Sequence, residues 1–168
     1  LRNLFAKARI IGFTATPARL DCKSLSTKHG GLFNRLVQAE SLKNNSVRTL
    51  IQRGYLSDFR VYAPEDKQAK KTRDGMTIFG NPVTTYKRLA WGKRAVMMCP
   101  SILNAQEFAR EFKKSGVTAA YISSNQSATE ITRVLTHFAR GDINVMCNVD
   151  MLGEGFDMPE IECLIIAN

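Results

Sequence analysis

The sequence predicts an α/β fold whose centre is a parallel, doubly wound sheet, and three observations carry that prediction. Short apolar runs recur through the second half of the chain, at residues 94–99 (RAVMMC), 119–122 (AAYI), 143–147 (INVMC) and 163–167 (CLIIA). The stretches between the first three runs have apolar residues at helical spacing, so strand and helix alternate. The runs are continuous and not alternating, as expected when helices cover both faces of a parallel sheet. Such sheets take ligands at the carboxyl ends of their strands.

In chain order, residues 8–13 (ARIIGF) read as a strand that ends in TATPARLD, where Pro17 forbids its continuation. SVRTLIQRGYL reads as a short helix with Ser46 as its cap and Gly54 as its stop. Residues 59–64 (FRVYAP) read as a strand closed by proline. EDKQAKKTRDG is polar and basic without an apolar period, which predicts a linker or exposed loop. NPVTTYKRLAWG offers Asn81 as cap, Pro82 at the first helical position and Gly92 as stop.

The second half is more regular. Ser101 caps a helix in which Ala105, Phe108, Ala109 and Phe112 form one apolar stripe, and Gly116 ends it. After AAYI, Ser127 and Glu130 form an S-x-x-E capping box. Ile131, Val134, Leu135 and Phe138 repeat the stripe, and Gly141 closes that helix. INVMC, a glycine-rich turn and CLIIA follow.

At 168 residues the chain is one ordinary domain or parts of two. Its start at Leu1, close to a strand-like run, and its stop just after another read as a piece of a longer protein. No apolar run approaches the ~18 residues of a membrane span, and no signal peptide is visible. Cys22, Cys99, Cys147 and Cys163 include no C-x-x-C pair, which argues against zinc. Cys99, Cys147 and Cys163 lie in apolar runs, where reduced thiols pack as small hydrophobes and fit a cytosolic protein. The net charge of +9 favours a polyanionic partner, of which nucleic acid is the commonest.

Three stretches could carry chemistry. TATP, from Thr14 to Pro17, puts hydroxyls after a strand, where a capped turn is the blander explanation. CPSILNAQEF puts Ser101 and Asn104 at a strand-to-helix junction, where backbone amides attract anions and a plain cap is the alternative. NVDMLGEGFDMP follows a strand end. Gly153 and Gly155 there let backbone approach a ligand, and Asp157 can accept from ribose hydroxyls. A metal site from Asp150, Glu154 and Asp157 lacks the spacing of a calcium loop. No G-x-x-x-x-G-K-[ST] occurs, and no acidic pair follows a strand. His29 and His137 belong to no nucleophilic constellation.

Taken together and in order, the three stretches resemble superfamily 2 helicases of the DEAD/DEAH-box type. IIGFTATPARLD resembles motif III, RAVMMCPSILNAQEFAREF motif IV, and INVMCNVDMLGEGFDMPEIECLIIAN motif V. SVRTLIQRGYLSDFRVYAP is similar to the crossover of the RadD-like branch found in bacteria and phages. The resemblance implies the end of a first RecA-like domain and its crossover at residues 1–64, a linker at 65–85, and most of a second RecA-like domain at 86–168. It implies that Thr14 and Thr16 couple ATP hydrolysis to domain motion. Ser101, Asn104, Asn148, Val149 and Asp150 would contact nucleic acid, expected to be DNA. Gly155 and Asp157 would bind ATP, which acts with Mg2+ whose ligands lie outside this stretch.

The chain departs from the family in lacking Walker A, the DEAD/DEAH motif, motif VI and the downstream zinc module. The segment between Arg73 and Pro82 is also short. The expectation is therefore a cytoplasmic, ATP-dependent helicase or translocase that needs the remainder of its chain, with no membrane association. Two alternatives are a non-catalytic nucleic-acid-binding module on the same scaffold and the motor subunit of a restriction system.

Overall fold

The computed structural model describes residues 9–14, 25–27, 31, 33–43, 45–63, 69–71, 77–153 and 156–167. The chain divides into two compact units, Leu1–Val61 and Tyr62–Asn168.

In the first unit, residues 9–14 carry no strand, and Phe13 is 96% exposed. Residues 57–63 likewise carry none, and Phe59, Val61 and Tyr62 are exposed. Both strand expectations are corrected here for the described residues. An apolar run becomes a strand only when a neighbouring backbone takes its N–H and C=O groups, and neither run has such a neighbour among the described residues. Residues 25–27 do meet Phe33 through backbone bonds. Thr27 N–H donates to Phe33 O at 2.9 Å and Phe33 N–H to Leu25 O at 3.1 Å. The Phe33 ring lies over Gly12, where a Cβ would meet a ring carbon at 2.7 Å.

Helix α1, Ser46–Gln52, is capped by Asn45 and not by Ser46. Asn45 adopts φ 50°, and its Oδ1 accepts from Arg48 N–H at 3.3 Å. Asparagine tolerates the left-handed region, so the cap falls one residue earlier than the hydroxyl suggests.

The second unit opens on a hairpin. Strand β1, Ala69–Lys71, pairs antiparallel with β2, Thr77–Phe79, with Ala69 opposite Phe79. The loop expected over residues 65–75 thus holds a strand at 69–71, whose ladder comes from a partner and not from its own pattern. Helix α2, Pro82–Leu89, follows with the expected cap: Asn81 Oδ1 accepts from Thr84 N–H at 3.1 Å, and Pro82 is at the first helical position.

The sheet is built as expected. Strands β3 (Ala95–Met98), β4 (Ala119–Ile122), β5 (Val145–Asn148) and β6 (Cys163–Ile166) are joined in the order β4-β5-β3-β6, and every pair is parallel. Between β3 and β4 runs helix α3, Ile102–Lys114, and between β4 and β5 runs α4, Ala128–Arg140.

The two helix stripes bury opposite faces of the sheet. Phe108, Ala109 and Phe112 of α3 join Val83 and Tyr86 of α2 against Ala95, Met97, Val145 and Cys147. Phe112 is fully buried, and Tyr86 meets it edge-on with centroids 5.6 Å apart. Across the sheet, Val134 and Phe138 of α4 pack on Val96, Ile122 and Met146. Each such side chain stabilises the fold by roughly 1.5–3 kcal/mol through burial. The capping box of α4 is present in both directions, and Gly141 at φ 86° ends the helix.

One strand departs from the expectation of burial on both faces. In β6, Cys163 and Ile165 pack on the α2/α3 side, while Leu164 and Ile166 are 60% and 67% exposed. Leu164 lies beside Val96 and Ile166 beside Met98, so they extend the α4-side face past the area that α4 covers. No helix among the described residues is long and apolar enough to cross a membrane.

Candidate functional site

The register decides where the loops gather. Met98 pairs with both Asn148 and Ile166, and Ile122 pairs with Asn148, so the four strands end level. The alignment continues past the strand ends: Cys99 N–H donates to Asn148 O at 2.8 Å, Val149 N–H to Ile122 O at 3.3 Å, and Ala167 N–H to Met98 O at 3.1 Å. Three loops therefore leave the same edge: residues 99–101, 123–127 and 149–162. Helices α3 and α4 both start there, one on each face, so their positive ends point to that edge. This is where a sheet of this class takes ligands.

Ser101 is half-buried and caps α3, its Oγ accepting from Asn104 N–H at 3.2 Å. Asn104 is fully buried inside the first turn of α3 and not displayed at the edge. The motif expectation gave Asn104 a contact with nucleic acid; its side chain is buried here, and its backbone N–H holds the Ser101 hydroxyl.

Asn148 is also fully buried. Its Oδ1 accepts from Met151 N–H at 3.0 Å and from Leu152 N–H at 3.1 Å, and its Nδ2 lies 3.3 Å from Met98 Sδ. The carboxamide thus folds the following loop over the strand end, and its atoms face inward. Val149 packs on the α2/α3 side, while Met151 and Leu152 pack on the α4 side. The loop straddles the sheet, and Asp150 is left exposed at its crest with φ 52°. A non-glycine residue in that region is held there by the bonds around it. Gly153 turns outward, where an added Cβ would meet nothing within 4 Å, and Phe156 N–H closes back on Gly153 O at 3.2 Å. Asp157 is exposed beyond that turn. Gly155 lies outside the described residues.

Thr14 belongs to the first unit, in the exposed segment before Ala15. Thr16 lies outside the described residues.

The sequence reading passed over residues 123–126, which stand at the same edge. Ser123 is fully buried; its N–H donates to Gln126 Oε1 at 2.9 Å and its hydroxyl to Asn125 Oδ1. The available signal was a polar SSNQ run immediately after an apolar strand.

Two thiols pack in the core beneath this edge. Cys99 and Cys147 are both buried and unbridged. The Cys99 sulfur as hydrogen-bond partner, together with burial, pushes the Cys147 thiol well above its ordinary range. Burial also raises the half-buried Cys163 thiol.

At this carboxyl edge two capped helix starts and a folded-over polar loop meet on one parallel α/β sheet, where sheets of this class take ligands. The Helicase conserved C-terminal domain family matches residues 83–168, and the chain belongs to that family. The match takes in the sheet, its three covering helices and all three edge loops.

Among relatives, the 51.5 kDa protein of Lactococcus phage (isolate 7-9) is 27% identical over 98% of this chain and 37% of its own length. UvrABC system protein B of Thermotoga neapolitana is 31% identical over 59% of this chain and 15% of its own. The Hef helicase domain of Pyrococcus furiosus, a solved structure, superposes with a TM-score of 0.43 at 21% identity, covering 50% of this chain and 18% of that one. The chain thus spans little more than a third of the phage relative and less of the others.

Proposed function

We propose that this chain forms part of an ATP-dependent, superfamily 2 DNA helicase or translocase of the RadD-like branch, acting in the cytoplasm. Residues 86–168 act as its second RecA-like domain, residues 1–64 as the end of the first with its crossover, and 65–85 as the link. The observation that carries this reading is the level carboxyl edge, where the Ser101 loop and the loop after Asn148 are stitched together by the bond from Cys99 N–H to Asn148 O.

On this reading the Ser101 hydroxyl, the backbone at Val149 and the exposed Asp150 loop hold a nucleic-acid strand by its phosphates, without reading sequence. Asn148 acts from beneath by holding the loop that follows it, and the Asn104 N–H holds the Ser101 hydroxyl. Asp157, exposed beyond the Gly153 turn, accepts from the ribose of ATP beside Gly155. ATP with Mg2+ supplies the hydrolysable phosphoanhydride when bound. Thr14 and Thr16 couple its cleavage to movement. A phosphate-cradling loop and an acidic metal-binding pair are not among these 168 residues. The stretch alone is therefore expected to bind nucleic acid weakly and to turn over no ATP.

The test is a turnover assay on the purified chain with and without single-stranded DNA. No phosphate release is expected. Steady release, abolished by Asp157→Ala, would overturn the reading. A non-catalytic binding module would instead hold single-stranded DNA tightly and ignore ATP analogues even when the missing motifs are supplied in trans.

A further inference from the structure

Six basic residues of the second unit gather at the edge opposite to the loops just described. Helices α2 and α3 run against the strands, so their last turns fall at the strand starts, at the amino edge of the sheet. Lys87 and Arg88 end α2, Lys113 and Lys114 end α3, and Lys93 and Arg94 lead into β3. Basic residues in a last helical turn complement the helix dipole, and that explains four of these six. It does not explain Lys93 and Arg94, nor the large aromatic among them: Trp91 is 59% exposed.

The indole stands on a fixed turn. Lys87 Nζ lies over it at 5.1 Å from the ring centroid and also donates to Ser115 O at 3.1 Å. That bond joins the end of α2 to the turn that follows Lys113 and Lys114. The Tyr86 hydroxyl donates to Lys93 O at 2.6 Å, and Asn144 Nδ2 to Gly92 O at 3.2 Å. Of the carboxylates nearby, Glu162 Oε2 accepts from Arg94 N–H at 3.1 Å and Asp142 Oδ2 sits 2.8 Å from His137 Nδ1, while Glu111 lies one turn before Lys114 on α3. The carboxyl edge, by contrast, displays Asp150 and Asp157.

We propose that this amino edge is a second nucleic-acid surface. A single strand lies with its phosphates on Lys87, Lys93, Lys113 and Lys114 and one base against the Trp91 indole. Cations that follow a backbone, with an aromatic on which a base stacks, are how single strands are held without sequence preference. The surface is about 13 Å from the carboxyl edge, the length of a four-residue strand, so it does not depend on the function proposed above.

Trp91 is the chain's one tryptophan, so its emission reports this surface alone. The purified chain is titrated with a labelled oligothymidine at about 50 mM salt, reading oligonucleotide anisotropy and Trp91 emission together. Saturable quenching is expected, with the same midpoint as the anisotropy. Lys87→Ala with Lys93→Ala should weaken the quench about fivefold and make its salt slope shallower by roughly 1.4, for two lost phosphate contacts. Circular dichroism establishes that the variant is folded. Arg133→Ala, at an exposed position of α4 outside both edges, should leave the quench and its midpoint in place. The amino-edge proposal fails if the oligonucleotide binds without changing Trp91 emission, if nothing binds at low salt, or if the double variant binds as before. Equal quenching by polyglutamate at the same charge concentration also overturns it, by assigning the surface to acidic proteins.

Discussion

Asn148→Ala tests the architecture of the edge loop most directly. The carboxamide is fully buried, and its oxygen is the acceptor for two backbone amides, at 3.0 Å from Met151 and 3.1 Å from Leu152. Alanine leaves both donors without that acceptor. A buried donor left unsatisfied costs about 1–3 kcal/mol. Met151 and Leu152 are only half-buried, so water reaches part of the loop and the lower end applies to each. Adding the packing lost beside Met98 gives a total of about 2–3 kcal/mol.

The assay is urea denaturation of the purified chain. With a slope of about 1–3 kcal/mol per molar urea, the midpoint should fall by roughly 1–2 M. The amides of Met151 and Leu152 should also exchange with solvent far faster in the variant under native conditions, because the bonds that protect them are gone. Asp150, held at φ 52°, should lose its constraint at the same time. A loss below about 0.5 kcal/mol, the range of an ordinary surface substitution, with exchange at these two amides unchanged, would refute the claim that Asn148 builds the loop.

Two further outcomes follow from the packing and the caps. Phe112→Ala removes a fully buried ring that Tyr86 meets edge-on, and should cost about 3–5 kcal/mol by thermal or chemical denaturation; a loss under 1 kcal/mol would mean the α2/α3 face is not one core. Glu130 is held below the ordinary glutamate range by the Ser127 backbone N–H, and next by the Ser127 hydroxyl. A depressed carboxylate contributes stability above its unfolded value and loses it as pH falls through the folded one. Glu130→Ala should therefore be destabilising near neutrality, and its effect should shrink as pH falls through the folded value; a loss that does not shrink on acidification would exclude the cap as its cause.

Much of the second unit was legible because its signals are local. The stripe of Ala105, Phe108, Ala109 and Phe112 marks one helix face whatever surrounds it, and all four are buried. Ser127 and Glu130 cap the helix they precede, as their spacing requires. Ser101 was legible for the same reason. The strands expected at residues 8–13 and 59–64 are absent from the described parts, 9–13 and 59–63, because an apolar run states only a preference, and the pairing that would realise it comes from elsewhere in a fold. The strand at Ala69–Lys71 shows the converse: a polar stretch became a strand because Thr77–Phe79 lay beside it.

The site divides along the same line. By itself the sequence determined the caps of α2, α3 and α4, the glycine that ends α4 and the runs that form the parallel sheet, since each depends on neighbours within about four positions. It also determined that a glycine-rich acidic turn follows a strand. Only the tertiary structure decided that this turn, the Ser101 loop and the Ser123 loop share one edge, because that depends on strand register across 50 residues from Met98 to Asn148. Only the tertiary structure decided that the Asn104 and Asn148 side chains point inward. A carboxamide serves a ligand or a loop equally well, and burial in the assembled sheet chooses between them.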